Sequence, residues 1–214
     1  MSHKPLCVLQ INTYERWGGA EVIARSLFSD YRRRGLNSFL AVRSRCSDDP
    51  NVLVISHEKG RTSWYRFWRE LERYLSVKGR EWSGKRQLLE VAARLAEPAR
   101  TVDRLRGIEC FRFPGTFGVL GLLSKRPDII HGHNLHGEYF DLRALPWLSR
   151  KAPVVLTLHD SWLLTGHCAQ SFECMRWKTG CGHCPDLTIY PDLRRDRTAY
   201  NWQRKKEVYA QSRL

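Results

Sequence analysis

The stretch LCVLQINTYERWGGAEVIARSLFSDYRRRGLNSFLAV, residues 6–42, decides the fold. Leu6 to Asn12 is a short apolar run rich in β-formers, and a polar turn carries the chain on to Gly18 and Gly19. Beyond the glycines, Ala20, Ile23, Ala24, Leu27, Phe28 and Tyr31 recur at the spacing of one helix face. Arg32 to Arg34 fill the last turn, where cations meet the negative end of the helix dipole, and Gly35 stands just past it. Ser38 to Val42 then reads as a second strand. Two parallel strands cannot be joined by a tight turn, so strand, glycine turn, helix and strand predict a βαβ unit in a parallel sheet covered by helices.

Outward from this unit, Val52 to Ser56 reads as a weaker third strand. The composition then changes. Residues 61–106 are helical in pattern, basic and aromatic, with Trp64, Phe67, Trp68, Leu71 and Leu75 on one face, and are expected to form a helical insertion. That face either packs on the chain's own sheet or rests on a membrane surface, where indole rings and basic side chains are both favoured. The sheet pattern resumes at Cys110 to Phe113, at Ile129-Ile130-His131 and at Val154 to Leu158; the last two are apolar and bounded by turn formers, as strands buried on both faces should be. Leu142 to Leu148 supplies the crossover helix between them. From Leu193 onward the chain reads as helical and strongly basic, and Arg194, Arg195, Arg197 and Arg204 to Lys206 are expected to be solvated. The fold class is therefore α/β: one Rossmann-like parallel sheet with helices on both faces, spanning 1–214, with the insertion and a cysteine-rich loop at 166–186.

With 42% hydrophobic and 27% charged residues among 214, the chain can bury a core and is no disordered or fibrous protein. The N-terminus runs straight into a strand with no apolar leader behind it, and the longest uncharged apolar run, Phe117 to Leu123, is far short of the roughly 18 residues of a spanning helix. A cytoplasmic protein is expected, with attachment to the inner face of a membrane left open. The net charge of +14 favours partners that carry phosphate, in a nucleotide, an anionic lipid or a nucleic acid.

Several positions bear chemistry. Gly18 and Gly19 either make an ordinary tight turn or let backbone amides approach a phosphate at the positive end of the helix. His131 and His133, two apart on a strand, should point the same way from the sheet's carboxyl edge, with Asn134 and His136 in the loop beyond. Either they meet a polar substrate or loop backbone satisfies them. His159 follows the strand ending at Leu158, where an imidazole can donate to a sugar oxygen or steady developing charge. Asp160 beside it can orient the ring, bind a hydroxyl, or cap the following turn. Cys168, Cys174, Cys181 and Cys184 are separated by five, six and two intervening residues in a glycine-rich loop. Four thiolates so placed suit a structural zinc, with His167 and His183 as spare ligands; free thiols and disulfides are the alternatives.

Gly18-Gly19-Ala20-Glu21, Pro127 to His131 with Asn134 to Gly137, and Leu158 to Trp162 running into Thr165 to Cys168 together resemble the N-terminal domain of family 4 retaining glycosyltransferases. Trp177 to Pro185 resembles a subgroup found among enzymes of exopolysaccharide and lipopolysaccharide assembly. The resemblance implies a GT-B architecture, two Rossmann-like domains facing across a cleft, and hexosyl transfer from a nucleotide-sugar donor to a saccharide or lipid-linked acceptor without a catalytic metal. It implies that Gly18 and Gly19 lie near donor phosphates and acceptor, that His159 contacts the donor sugar, and that Asp160 belongs to the same centre. His131, His133, Asn134 and His136 would bind substrate. The family's acidic and basic pairs belong to a second, C-terminal domain that is absent from these residues, so the chain is expected to turn over little on its own. Two rivals stand beside this reading. A zinc-bearing basic nucleic-acid module is disfavoured, and nucleic acid is not expected as a partner, because the aromatics fall on a helix rather than on a sheet platform. The other rival is a non-catalytic scaffold on an anionic membrane surface.

Overall fold

The computed structural model of the protein describes residues 4–58, 61–77 and 84–214. The first three residues and positions 78–83 of the expected insertion lie outside these. Five parallel strands, β1 (Cys7–Tyr14), β2 (Asn37–Ser44), β3 (Val52–Val54), β4 (Ile129–Gly132) and β5 (Val154–Leu156), form one sheet in the order β3-β2-β1-β4-β5. In register, Leu9 pairs with Phe39 on one side and with Ile130 on the other, and Ile130 pairs with Val154. The chain first builds outward from β1 through β2 to β3, then returns to lay β4 on the opposite flank of β1. The protein is thus an α/β Rossmann-like fold whose strand order reverses between β1 and β4.

The first helix, α1 (Gly19–Arg33), follows its sequence signals closely. It starts at the glycine pair, ends on the arginines, and is stopped by Gly35 at φ +80°, a left-handed conformation that costs glycine nothing. Ala20, Ala24 and Phe28 are buried, and the Phe28 ring alone contributes about 1.5–3 kcal/mol of burial. Ile23, expected on the same face, is 48% exposed. The main core gathers Leu9, Ile11 and Ile130 from the central strands with Tyr139, Phe140, Leu142, Leu145 and Leu148, the last two from α5 (Leu145–Lys151), which with the single 3-10 turn before it is the expected crossover.

Four expectations are corrected. Cys110 to Phe113 is not a strand. Phe111 and Phe113 are buried, but the Phe113 amide donates to the Phe111 carbonyl and the Arg112 amide to the Cys110 sulfur, so the backbone is closed locally and offers no ladder. β4 is largely buried, whereas β5 is an edge strand with Val155 51% exposed, so the apolar run at 154–158 does not mark a strand covered on both faces. The helix expected from Leu193 is α6 (Thr198–Ala210), and its basic stretch is not uniformly solvated: Lys205 is 1% exposed. The insertion is helical, comprising α2 (Ser63–Val77), α3 (Lys85–Ala96) and α4 (Pro98–Leu105), but α2 packs on α3 rather than on the sheet. Trp64 donates its indole N–H to the Leu95 carbonyl at 2.7 Å, while Tyr65, outside the expected stripe, is the deeply buried aromatic. Among the described residues, no helix is long and apolar enough to cross a membrane.

Candidate functional site at the carboxyl edge of the sheet

All five strands point one way, so the loops after β1, β4 and β5 leave by one edge. In open α/β sheets the crevice where strand order reverses is where ligands gather, and here it lies between β1 and β4. Polar side chains at the end of β1 stitch that seam. Asn12 Oδ1 accepts from the Asn134 amide at 3.3 Å, and Thr13 Oγ1 lies within reach of the Asn134 and His136 carbonyls, 3.3 and 3.0 Å away. Gly137, at φ +93°, packs so closely on Thr13 that a Cβ there would stand 2.7 Å from its methyl. The backbone of Asn134, rather than its side chain, is what the seam uses.

His131 and His133 do project the same way, with ring centroids 4.2 Å apart. His131 Nε2 meets Thr157 Oγ1 at 2.7 Å, and His133 Nδ1 meets His159 Nε2 at 2.9 Å. His133 Nε2 faces the amide of Gln10, a wholly buried residue of β1, also at 2.9 Å. When the Gln10 nitrogen takes that side it donates to His133 and to the Ala24 carbonyl, while its oxygen accepts from the Phe28 amide, so every group is satisfied. The hydrogens then run one way: Gln10 to His133 Nε2, His133 Nδ1 to His159 Nε2, leaving the hydrogen of a neutral His159 on Nδ1. Burial, with His131 and His159 nearby, depresses the His133 pKa to about 3, so the His133 ring stays uncharged. The signal for Gln10 was in the sequence, as an amide inside an otherwise apolar strand.

The second pair is His136 and Asp160. Nε2 and Oδ2 lie 2.6 Å apart, both side chains largely covered, and Asp160 Oδ1 also accepts the Trp162 amide at 2.9 Å. Asp160 therefore caps the following turn with one oxygen, while the other holds the His136 imidazole rather than the His159 ring beside it in sequence. Burial would raise the Asp160 pKa, but the His136 and Trp162 hydrogen bonds outweigh it and hold the carboxyl below its ordinary value. His136 Nδ1 is buried with no partner among the described residues. Its ring sits 5.5 Å from Trp162 and 5.9 Å from Tyr190 and helps line a cleft of about 300 Å3 with Phe113, Arg100 and Asp192. Arg100 reaches the cleft from α4 and is tied to Glu97 and Glu138, which couples the insertion to the site. Nothing in the sequence marks Tyr190 or Arg100, and Trp162 stands there only as the end of the Leu158 to Trp162 motif; helix α4 and two loops bring the three together.

The glycine pair leaves by the same edge but does not line this cleft. Glu21 folds back over the start of α1, its carboxylate 2.5 Å from where a Gly18 Cβ would stand. An anion reaching the helix terminus has to displace that carboxylate. Just before the glycines, Glu15 is shielded from solvent and pairs with Arg25, accepting the Cys46 and Ser47 amides at 2.7 and 2.9 Å. Burial opposes ionisation of Glu15, yet the Ser47 and Cys46 hydrogen bonds, with Arg25, bring its pKa down to about 2.

Behind the site, α6 buttresses the loop that follows His159. Lys205 Nζ stands 2.9 Å from Glu109 and donates to the Trp162 and Thr165 carbonyls at 2.8 and 3.0 Å. Gly166 is pressed against the first turn of the helix, where a Cβ would lie 2.3 Å from the Thr198 carbonyl oxygen. Beyond it, Cys168, Cys174, Cys181 and Cys184 line one small hollow. Among the described residues, no three His, Cys, Asp or Glu side chains close on a common point as metal ligands do.

The chain is similar to the Escherichia coli (strain K12) protein WcaC, named as a colanic acid biosynthesis glycosyl transferase, with 34% identity over 90 residues. The match spans 39% of this chain and 22% of the WcaC protein. No protein-family model and no solved structure matches the chain.

Proposed function

We propose that this chain is the acceptor-side half of a retaining, GT-B glycosyltransferase that moves a hexosyl group from a nucleotide-sugar to a saccharide or lipid-linked acceptor. The observation that carries this reading is the convergence of His133 with His159, and of His136 with Asp160, at the strand-order reversal beside an aromatic cleft. Similarity to a protein named as a glycosyl transferase supports the reaction class, and the motif resemblance described above supports the architecture. In this reading the acceptor occupies the cleft, where the exposed ring of Tyr190 suits a sugar ring and Arg100 suits hydroxyl or anionic groups. His159, held by Gln10 and His133, presents its remaining N–H to the donor sugar. The His136 and Asp160 pair orients an acceptor hydroxyl, and Gly18 and Gly19 leave room for donor phosphates once Glu21 swings aside. A second domain grips most of the nucleotide, in keeping with the match spanning about a fifth of the relative, and the chemistry needs no catalytic metal. The half-exposed Trp64 and Phe67 of α2 support seating on an anionic membrane surface at the cytoplasmic face.

The test is to offer the 214-residue chain nucleotide-sugars together with saccharide acceptors. Saccharide binding in the cleft without transfer is expected. Transfer by this chain alone overturns the half-enzyme claim, and absence of any saccharide binding overturns the acceptor role.

A further inference from the structure

Sugar transfer makes no use of the thiols at 168–184, and the loop around them is built with more care than a surface connection needs. Cys168, Cys174, Cys181 and Cys184, with His167, line a hollow of about 20 Å3. That is room for one water or one small ion.

Two groups are already set toward it, an amide that donates and an imidazole nitrogen that accepts. The Gly166 amide donates to Cys181 Sγ at 3.2 Å, the kind of outer contact that steadies a ligating sulfur. His167 is 1% exposed, and its Nδ1 lies 2.9 Å from the Pro191 carbonyl oxygen. A carbonyl can only accept, so Nδ1 carries the hydrogen and Nε2 directs its lone pair at Cys184 Sγ, 3.3 Å away. The backbone between the last two cysteines is equally fixed. Gly180, Gly182 and the non-glycine His183 all have left-handed φ, at +114°, +109° and +48°. Arg176 donates to the Gly182 and His183 carbonyls, Thr198 Oγ1 accepts the Gly182 amide, and Asp196 accepts the Cys184 amide. Left-handed backbone costs the two glycines nothing, but at His183 it persists only where its surroundings impose it, and here it helps turn Cys181 and Cys184, with two residues between them, toward one hollow.

We propose that these four cysteines bind one zinc-class divalent cation as a structural centre, with His167 backing Cys184 from outside the ligand set. In the structure the sulfurs line the hollow without yet closing on one point. Rotation about the cysteine Cα–Cβ bonds brings them in; the proton displaced from Cys184 passes to His167 Nε2, whose N–H then donates to the thiolate, and the other three go to solvent. Four thiolates leave no open position for chemistry, so the cation acts by locking the 166–186 loop onto α6, beneath the turn that carries His159 and Asp160.

The chain, reduced and stripped with chelator, is titrated with zinc and separately with cobalt(II). Binding of one metal per chain is expected, with an intense sulfur-to-cobalt charge-transfer band and protection of four thiols from alkylation. Cys181→Ser should lower metal content at least about tenfold, and His167→Gln should keep the metal but weaken it by about 10–100-fold. Failure of the reduced wild-type chain to take up either metal, or a cobalt complex without sulfur charge transfer, overturns the proposal. So does complete loss of metal in His167→Gln with the four thiols intact, since that places the imidazole inside the ligand set. The wild-type titration does not depend on any variant folding, and the outcome is independent of sugar binding.

Discussion

Asp160 stands between two partners drawn from opposite directions, its Oδ2 2.6 Å from His136 Nε2 and its Oδ1 2.9 Å from the Trp162 amide. The loop after β4 and the turn after β5 are thereby locked together by one carboxylate. Because these bonds favour the ionised form, the carboxyl is held below its ordinary value, and the stability they confer is present at neutral pH and lost as acid protonates the group. Replacing His136 with alanine should raise the Asp160 pKa toward that ordinary value, read by carbon-13 NMR of the carboxyl. An unchanged titration would show that the pair is not coupled.

Glu15 sets the acid limit of the β1 terminus. Its folded pKa, about 2 against an ordinary 4.5, means that its contribution is complete above the ordinary value and disappears as pH falls through the folded one. Thermal unfolding followed from about pH 6 to about pH 2 should show wild type more stable than Glu15→Gln near neutrality, with the two curves converging in acid. Parallel curves throughout would remove the ion-paired carboxylate from the account.

Lys205 and Glu109 are both buried, and burial pushes the lysine pKa down and the glutamate pKa up. Removing one partner leaves the other charged or unpaired, so Lys205→Met should cost about 3–5 kcal/mol in denaturant unfolding. Lys205→Met combined with Glu109→Leu should recover much of that loss. A cost below about 1 kcal/mol for the single change is the result that would discard the buttress.

The Gln10, His133 and His159 chain predicts a tautomer. Nitrogen-15 shifts of His159 should report a hydrogen on Nδ1 in the neutral ring, and Gln10→Leu should leave a mixture of tautomers while the fold survives. A wild-type ring already mixed would mean that β1 does not orient it.

Membrane seating is tested by sedimentation with vesicles. Vesicles containing anionic lipid should bring the chain down, neutral vesicles should not, and Trp64→Ser with Phe67→Ser should weaken sedimentation with the anionic vesicles. Equal sedimentation with both vesicle types contradicts an electrostatic surface role.

What the sequence made legible was local. The glycine pair, the spacing of Ala20, Ala24 and Phe28, and Gly35 define α1 without reference to anything distant, and the period of two along β4 suffices to put His131 and His133 on one side. What it hid was every role assigned by a remote partner. Lys205 lies in a basic run and looks solvated until Glu109, 96 residues away, is brought against it. Cys110 to Phe113 has the apolar alternation of a strand, but its backbone closes on itself and never joins the sheet. Trp162, Tyr190 and Arg100 come from two loops and helix α4, and only the folded chain makes them line one cleft.

Whether the cleft beside His136 receives a saccharide is read from protein-observed NMR of the 214-residue chain titrated with polysaccharide fragments. Saturable shifts of the Trp162 indole, the Tyr190 ring and the His136 ring are expected, all weakened in Asp160→Asn. No shifts with any fragment, or shifts confined to a face away from these residues, would contradict it.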